Sequence, residues 1–157
     1  VAFHPGGAPI SYGHPERGAI YGPANAGGTG NAGVVFKLRP GMFTPPSLPA
    51  GWNEEVLYNF TGGDDGNGPN TGVVFDQAGN LDGATSQGGS GGFGVIYQLT
   101  PGSPSWSENV LYTFTGGADG GFPESTIALD SSGNIYGTTV AGGNRCGVVY
   151  QITAPAR

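Results

Sequence analysis

Glu55-Val56-Leu57-Tyr58-Asn59-Phe60-Thr61-Gly62-Gly63 occurs a second time, with small changes, as Glu108-Asn109-Val110-Leu111-Tyr112-Thr113-Phe114-Thr115-Gly116-Gly117. Phe60 and Phe114 are 54 residues apart, as are Trp52 and Trp106 upstream and Asp76 and Asp130 downstream. Further on, Gly94-Val95-Ile96-Tyr97-Gln98-Leu99 is matched by Gly147-Val148-Val149-Tyr150-Gln151-Ile152. A fixed period of this size marks a repeat architecture, in which one supersecondary unit is built again and again along the chain.

A worn copy of the unit fills the first third. Gly18-Ala19-Ile20-Tyr21-Gly22 aligns with Gly79-Asn80-Leu81-Asp82-Gly83 and Gly133-Asn134-Ile135-Tyr136-Gly137, and Gly33-Val34-Val35-Phe36-Lys37-Leu38 aligns with the later Gly-Val segments. Val1-Ala2-Phe3, followed by Gly6-Gly7, is matched to Val56-Leu57-Tyr58-Asn59-Phe60 and Gly62-Gly63. The result is one domain of three units, 1–51, 52–105 and 106–157. Proline-rich linkers, Pro45-Pro46-Ser47-Leu48-Pro49 and Pro101-Gly102-Ser103-Pro104, precede the second and third.

Within a unit the apolar residues alternate, the period-2 signal of half-buried strands. Val56, Tyr58 and Phe60 share one face, with Leu57 and Asn59 on the other. A second strand, Gly72-Val73-Val74-Phe75 or Thr126-Ile127-Ala128-Leu129, leads into the hairpin Asp76-Gln77-Ala78-Gly79 or Asp130-Ser131-Ser132-Gly133. Aspartate first and glycine last suit a type I turn closed by a left-handed residue. A third strand, Asn134 to Thr139, is small and glycine-broken, and a fourth alternates through Val148, Tyr150 and Ile152. No window carries a helical period. The fold class is all-β, with one small four-stranded antiparallel sheet per unit.

Trp-x-Glu-x-Val-Leu-Tyr-x-Phe-Thr-Gly-Gly, then Asp-x-x-Gly-Asn-(Leu/Ile)-x-Gly, then Gly-Val-(Val/Ile)-(Phe/Tyr)-x-(Leu/Ile) resembles the GloVer tandem repeat of secreted and surface-attached bacterial proteins. The resemblance covers Trp52 to Pro155, and the first unit from about Gly18. It implies three propeller-blade-like repeats of about 54 residues, an extracellular or cell-surface location, and no general activity. The chain departs from the pattern at Asp82, which stands where the other copies carry Tyr21 and Tyr136. Three repeats are also fewer than family members usually carry.

Composition narrows the partners. The 157 residues suffice for one domain burying roughly 68–70% of its unfolded surface, and 33 Gly with 13 Pro fall in register as turns. A net charge of −6 without a Lys/Arg cluster excludes a nucleic-acid interface. No apolar run reaches the ~18–20 residues that span a bilayer. The start at Val1 fits a processed form or a fragment, and the single Cys146 leaves the redox compartment open. Charged residues make only 10% of the chain, against about 25–35% on a freely solvated surface. Propellers close with about four to eight blades, so three leave two open flanks. The expectation is a non-enzymatic structural protein that self-associates into a ring or helical filament. Val1 and Phe3 would form one end of its interface, and Val148, Tyr150 and Ile152 the other.

Other residues invite separate readings. Trp52, Trp106, Tyr21 and Tyr136 are candidate platforms for sugar rings in a lectin-like alternative, although blade-to-blade packing explains the tryptophans as well. Asp64, Asp65 and Asn67 resemble part of a calcium loop, but no glutamate follows at EF-hand distance and a polar turn fits them equally. Asn59-Phe60-Thr61 is a formal N-glycosylation sequon. His4 and His14 lack a ligand or nucleophile at useful spacing. Cys146 has only Arg145 beside it. Glu54 and Glu108 occupy equivalent places, which argues for a shared structural role rather than a glycosidase pair with Glu16, Glu55 or Glu124.

Overall fold

The alternating segments form twelve short strands, and no helix is present among the residues described. The structure, a computed structural model, describes residues 2–3, 18–40, 51–144 and 146–153. Val1, His4, His14, Glu16 and Arg145 therefore lie outside the described residues, and of Phe3 only the backbone belongs to them.

The strands sort into three antiparallel sheets. The first contains β1 (Ala2–Phe3), β2 (Ile20–Ala24), β3 (Val34–Pro40) and β4 (Trp52–Asn59), in that order. The second repeats the order with β5 (Val74–Phe75), β6 (Leu81–Thr85), β7 (Val95–Thr100) and β8 (Ser107–Thr113). The third has β10 (Ala128–Leu129), β11 (Ile135–Ala141) and β12 (Val149–Ile152), with β9 (Gly121–Pro123) pairing the far end of β11.

Two sequence expectations are corrected by this pairing. The Trp-x-Glu-x-Val-Leu-Tyr segment does not open the sheet of its own unit. It closes the sheet before it: β4 pairs β3 from Val34↔Asn59 to Pro40↔Trp52, and β8 pairs β7 from Val95↔Thr113 to Thr100↔Ser107. Each sheet therefore ends one strand later than the sequence period suggests. The second correction concerns Ala2 and Phe3, which pair Tyr21 and Ile20 as Val74 and Phe75 pair Asp82 and Leu81. They correspond to the short strand before the hairpin, not to Val56–Phe60. Alternation alone does not say which neighbour a strand takes.

The hairpin reading holds. Gly79 has φ 87° and donates its N–H to Asp76 O, while Asp76 Oδ1 accepts from the N–H groups of Ala78 and Asn80. Asp130 repeats the arrangement with Ser132 and Asn134.

The sheets pack in series. One core joins the first to the second through Tyr21, Val35, Leu57 and Phe60 against Leu81, Tyr97 and Leu99. Another joins the second to the third through Ala84, Ile96 and Phe114 against Ile127, Ile135 and Tyr150. Phe60 stacks edge-on against Tyr97 at 5.0 Å, and Phe114 against Tyr150 at 5.1 Å. A backbone staple recurs at both junctions, from Gly68 N–H to Ala32 O and from Phe122 N–H to Phe93 O. No core joins the third sheet back to the first among the described residues, so no closed propeller forms.

Candidate functional site

Strand register makes positions in the three sheets directly comparable. Gly22 pairs Phe36, Gly83 pairs Tyr97, and Gly137 pairs Tyr150, so Val35, Ile96 and Val149 occupy one equivalent position. Val35 and Ile96 are 0% exposed, each covered by the sheet that follows, whereas Val149 is 82% exposed. Around Val149, Thr138 and Val140 are exposed as well, although Ala84, the counterpart of Thr138, is fully buried. The opposite end of the series shows the converse. Ile20, Phe36 and Leu38 are half-buried where Leu81, Tyr97 and Leu99 are 0% exposed. Trp106 packs onto the first core, but its counterpart Trp52 is 55% exposed. Among the described residues, the third sheet around Val149 and the first sheet around Trp52 are thus exposed at positions whose counterparts are covered at the two internal junctions.

The self-association residues named from sequence are only partly placed on these faces. Tyr150 and Ile152 turn inward onto the second sheet, because the period of two that exposes Val149 buries its neighbours. Val148 is half-buried, and its N–H donates to Thr139 Oγ1. Val149, Val140 and Thr138 were not singled out by sequence. The signal for them was the face opposite Tyr150 in the same alternation.

A cleft of about 320 Å³ opens between the first two sheets, lined by Tyr21, Lys37, Arg39, Glu55, Phe75 and Trp106 among others. It joins two of the four aromatic residues expected to face sugar. Tyr21 meets Phe75 edge-on at 4.9 Å, and Lys37 Nζ sits 5.3 Å from the Tyr21 ring centre. Arg39 donates to Glu55 Oε2 at 2.5 Å. Tyr136 instead bonds the hairpin of its own sheet, its hydroxyl donating to Asp130 Oδ2 at 3.0 Å. Where Asp82 replaces that tyrosine, Gln98 Nε2 donates to Asp82 Oδ1 at 2.8 Å and reaches Asp76 Oδ2 at 3.4 Å. The amide takes over the link to the hairpin aspartate.

The loop of Asp64, Asp65 and Asn67 is a clamp. Asp65 accepts from Thr61 Oγ1 at 2.6 Å, from Thr61 N–H at 2.8 Å and from the Tyr58 hydroxyl at 3.2 Å. Asp119 repeats all three bonds with Thr115 and Tyr112. Asp64 is exposed, and Asn67 forms an isolated bridge with Gln87. No three His, Cys, Asp or Glu side chains converge on a metal-sized space among the described residues. Asn59 Oδ1 accepts from Thr29 N–H at 3.1 Å, which ties the sequon side chain to the neighbouring loop. Cys146 is exposed.

Glu108 sits where the first two sheets meet. One of its oxygens, Oε1, is buried without a partner. Burial, and then the Asp65 carboxylate, push its pKa up to about 7. Burial likewise raises Tyr58, which also feels Asp65 and Glu108.

The sequence pattern of the Gloeobacter/Verrucomicrobia repeat matches residues 11–157. The chain belongs to this repeat family. No curated protein and no solved structure matches it. In this chain the residues shared between its copies of the motif are mainly packing groups: Phe60 and Phe114 fill the junctions, while Asp65, Asp76, Asp119 and Asp130 hold the turns. No described helix is long and apolar enough to cross a membrane.

Proposed function

We propose that the chain is a non-enzymatic structural protein of the cell exterior, built of three propeller-blade-like repeats of about 54 residues, and that copies associate head to tail. The observation that carries this reading is the fate of one position: Val35 and Ile96 are 0% exposed and Val149 is 82% exposed. Burying a valine side chain is worth about 1.5–3 kcal/mol, and Val149 is exposed at a position that the other two sheets bury. Val149 stands in strand register where Val35 faces Leu81, Tyr97 and Leu99 across the first junction, and Ile20, Phe36 and Trp52 of the first sheet are the counterparts of Leu81, Tyr97 and Trp106. A contact between two different faces closes as a ring or continues as a filament, according to its rotation. Negative-stain microscopy tests the reading. Rings or fibres are expected for the native protein and dispersed particles for Val149→Asp; dispersed particles of the native protein at high concentration would contradict it.

A second reading has its own observation. Tyr21 and Trp106 share the inter-sheet cleft with Lys37, Arg39 and Glu55, and its volume lies at the lower end of ligand-binding clefts, which begin near ~300 Å³. Aromatic faces beside charged hydrogen-bonding groups suit a saccharide. Specific signal on a glycan array that is lost in Trp106→Ala but kept in Trp52→Ala would support a lectin function; a blank array would remove it.

A further inference from the structure

Lys37 and Arg39 are the only lysine or arginine side chains among the described residues, and both line the cleft between the first two sheets. The chain as a whole carries a net charge of −6, yet Glu55 is the only carboxylate among the described residues of this wall. We propose that the cleft binds a saccharide bearing a carboxylate, a uronic acid, with its ring on the aromatic side chains and its acid group at Arg39. This inference rests on the saccharide reading of the cleft and narrows it to one chemical class.

The repeat itself does not call for these cations. In the first sheet Tyr21 pairs Lys37 and Lys37 pairs Glu55, whereas in the second Asp82 pairs Gln98 and Gln98 pairs Asn109. Arg39 lies two residues beyond Lys37, and Thr100 lies two beyond Gln98. In the third sheet Gln151 pairs Tyr136 in the place of Lys37 and Tyr21. The same wall at the second junction is therefore Asp82, Gln98, Thr100 and Asn109, without a cation. That junction packs as the first does, so contact between sheets is met without Lys37 and Arg39. Positive charge is a property of the first cleft and not of the fold.

Both charges are held in place. Lys37 is 4% exposed, and its Nζ sits 5.3 Å from the Tyr21 ring centre, a cation–π contact that keeps the ammonium within the wall. The Arg39 side chain is 37% exposed, so its planar guanidinium reaches solvent with a fork that fits a carboxylate. The carboxylate it already meets, Glu55, shows that geometry. Across the cleft the second sheet supplies Phe75 and Trp106. Aromatic faces suit the C–H side of a sugar ring, and a cleft lined by one excess positive charge draws an anion and turns away a cation. A volume of about 320 Å³ limits the occupant to a short saccharide.

The test is calorimetric titration of the full chain with digalacturonate and with digalactose of the same linkage, which carries a hydroxymethyl group in place of each carboxylate. Digalacturonate should bind at least about tenfold more tightly, a difference of ~1.4 kcal/mol or more. The difference should shrink with added salt, and amide shifts on binding should centre on residues 37–39, 55 and 106. Arg39→Gln should abolish the preference and Lys37→Met should reduce it. Glu55→Gln, which removes a like charge from an exposed side chain, should strengthen digalacturonate binding about twofold or more and leave digalactose unchanged. A misfolded variant could not gain affinity in this way. Equal affinity for the two disaccharides would overturn the proposal and leave the saccharide reading standing, whereas binding of neither would retire both. A tetraglutamate peptide that bound as tightly as digalacturonate, shifts confined to other regions, or no gain in Glu55→Gln would also overturn it.

Discussion

At the scale of single residues, the tightest constraint is glycine beneath an aromatic ring. A Cβ on Gly83 would lie 2.4 Å from the Tyr97 hydroxyl oxygen and 2.6 Å from its Cζ, and Gly137 is crowded in the same way by Tyr150. Both rings are buried with unpartnered hydroxyls, so neither can swing aside cheaply. Gly83→Ala should destabilise by about 1–3 kcal/mol, the usual cost of overpacking. Gly51→Ala, with nothing within 4 Å, should stay within about 0.5 kcal/mol. Urea denaturation of the two variants checks the contrast. Ionisable residues add a dependence on pH with two limbs. Glu108 is pushed up to about 7 from an ordinary 4.5, so the folded state holds its proton more tightly. Its favourable contribution is complete below about 4.5 and is lost as pH rises toward 7. Asp119 has the opposite sign: burial raises it, but bonds from Thr115 and Tyr112 outweigh burial and hold it below the usual range. Asp130 is lowered chiefly by Asn134. Their contributions vanish as pH falls below the ordinary aspartate range. Stability measured by urea should thus fall on both sides of mildly acidic pH, and Glu108→Gln should flatten only the upper limb.

Among the elements, the outer strand and the clamp that follows it form one unit. Asp65 ties Thr61 and Tyr58 together, and Asp119 does so for Thr115 and Tyr112. Hydrogen bonds to a charged group contribute about 1.5–3 kcal/mol, with the lower value apt at this partly exposed turn. Asp65→Ala should therefore lower stability by roughly 1–2 kcal/mol, and calorimetry with amide exchange should show the loss concentrated at residues 58–68. The sequence made most strands and the Asp76 and Asp130 hairpins legible, because alternation and turn chemistry are local signals, but it did not show β9, three residues without alternation. It did not show which sheet receives Trp52–Asn59, because that choice depends on partners many residues away. The same limit explains the misplacement of Ala2 and Phe3. Two apolar residues fit either strand type, and only pairing with Tyr21 and Ile20 decides between them. In the site, Tyr21 and Trp106 were named as sugar platforms and Glu55 only as a carboxylate for a glycosidase pair, whereas Lys37 and Arg39 were not named. They enter the cleft because β3 and β4 present alternate residues to it.

For the whole molecule, the decisive feature is the contrast between positions covered at the internal junctions and their exposed counterparts on the first and third sheets. The all-β class was legible from the alternation, but which side chains of β12 are uncovered was not, since Tyr150 and Ile152 turn inward and Val149 outward. Cys146 offers a passive reporter, being exposed and equivalent to Ala32 and Phe93, whose carbonyls accept the junction staples. Its alkylation should slow as protein concentration rises and copies cover that corner. The most direct measurement is sedimentation velocity on two variants, each with one damaged face. Val149→Asp spoils the last sheet and Trp52→Asp the first. Head-to-tail association predicts that each alone is monomeric and that an equal mixture forms dimers, because each variant keeps the face the other has lost. A mixture that stays monomeric, or variants that assemble as the native protein does, would contradict it.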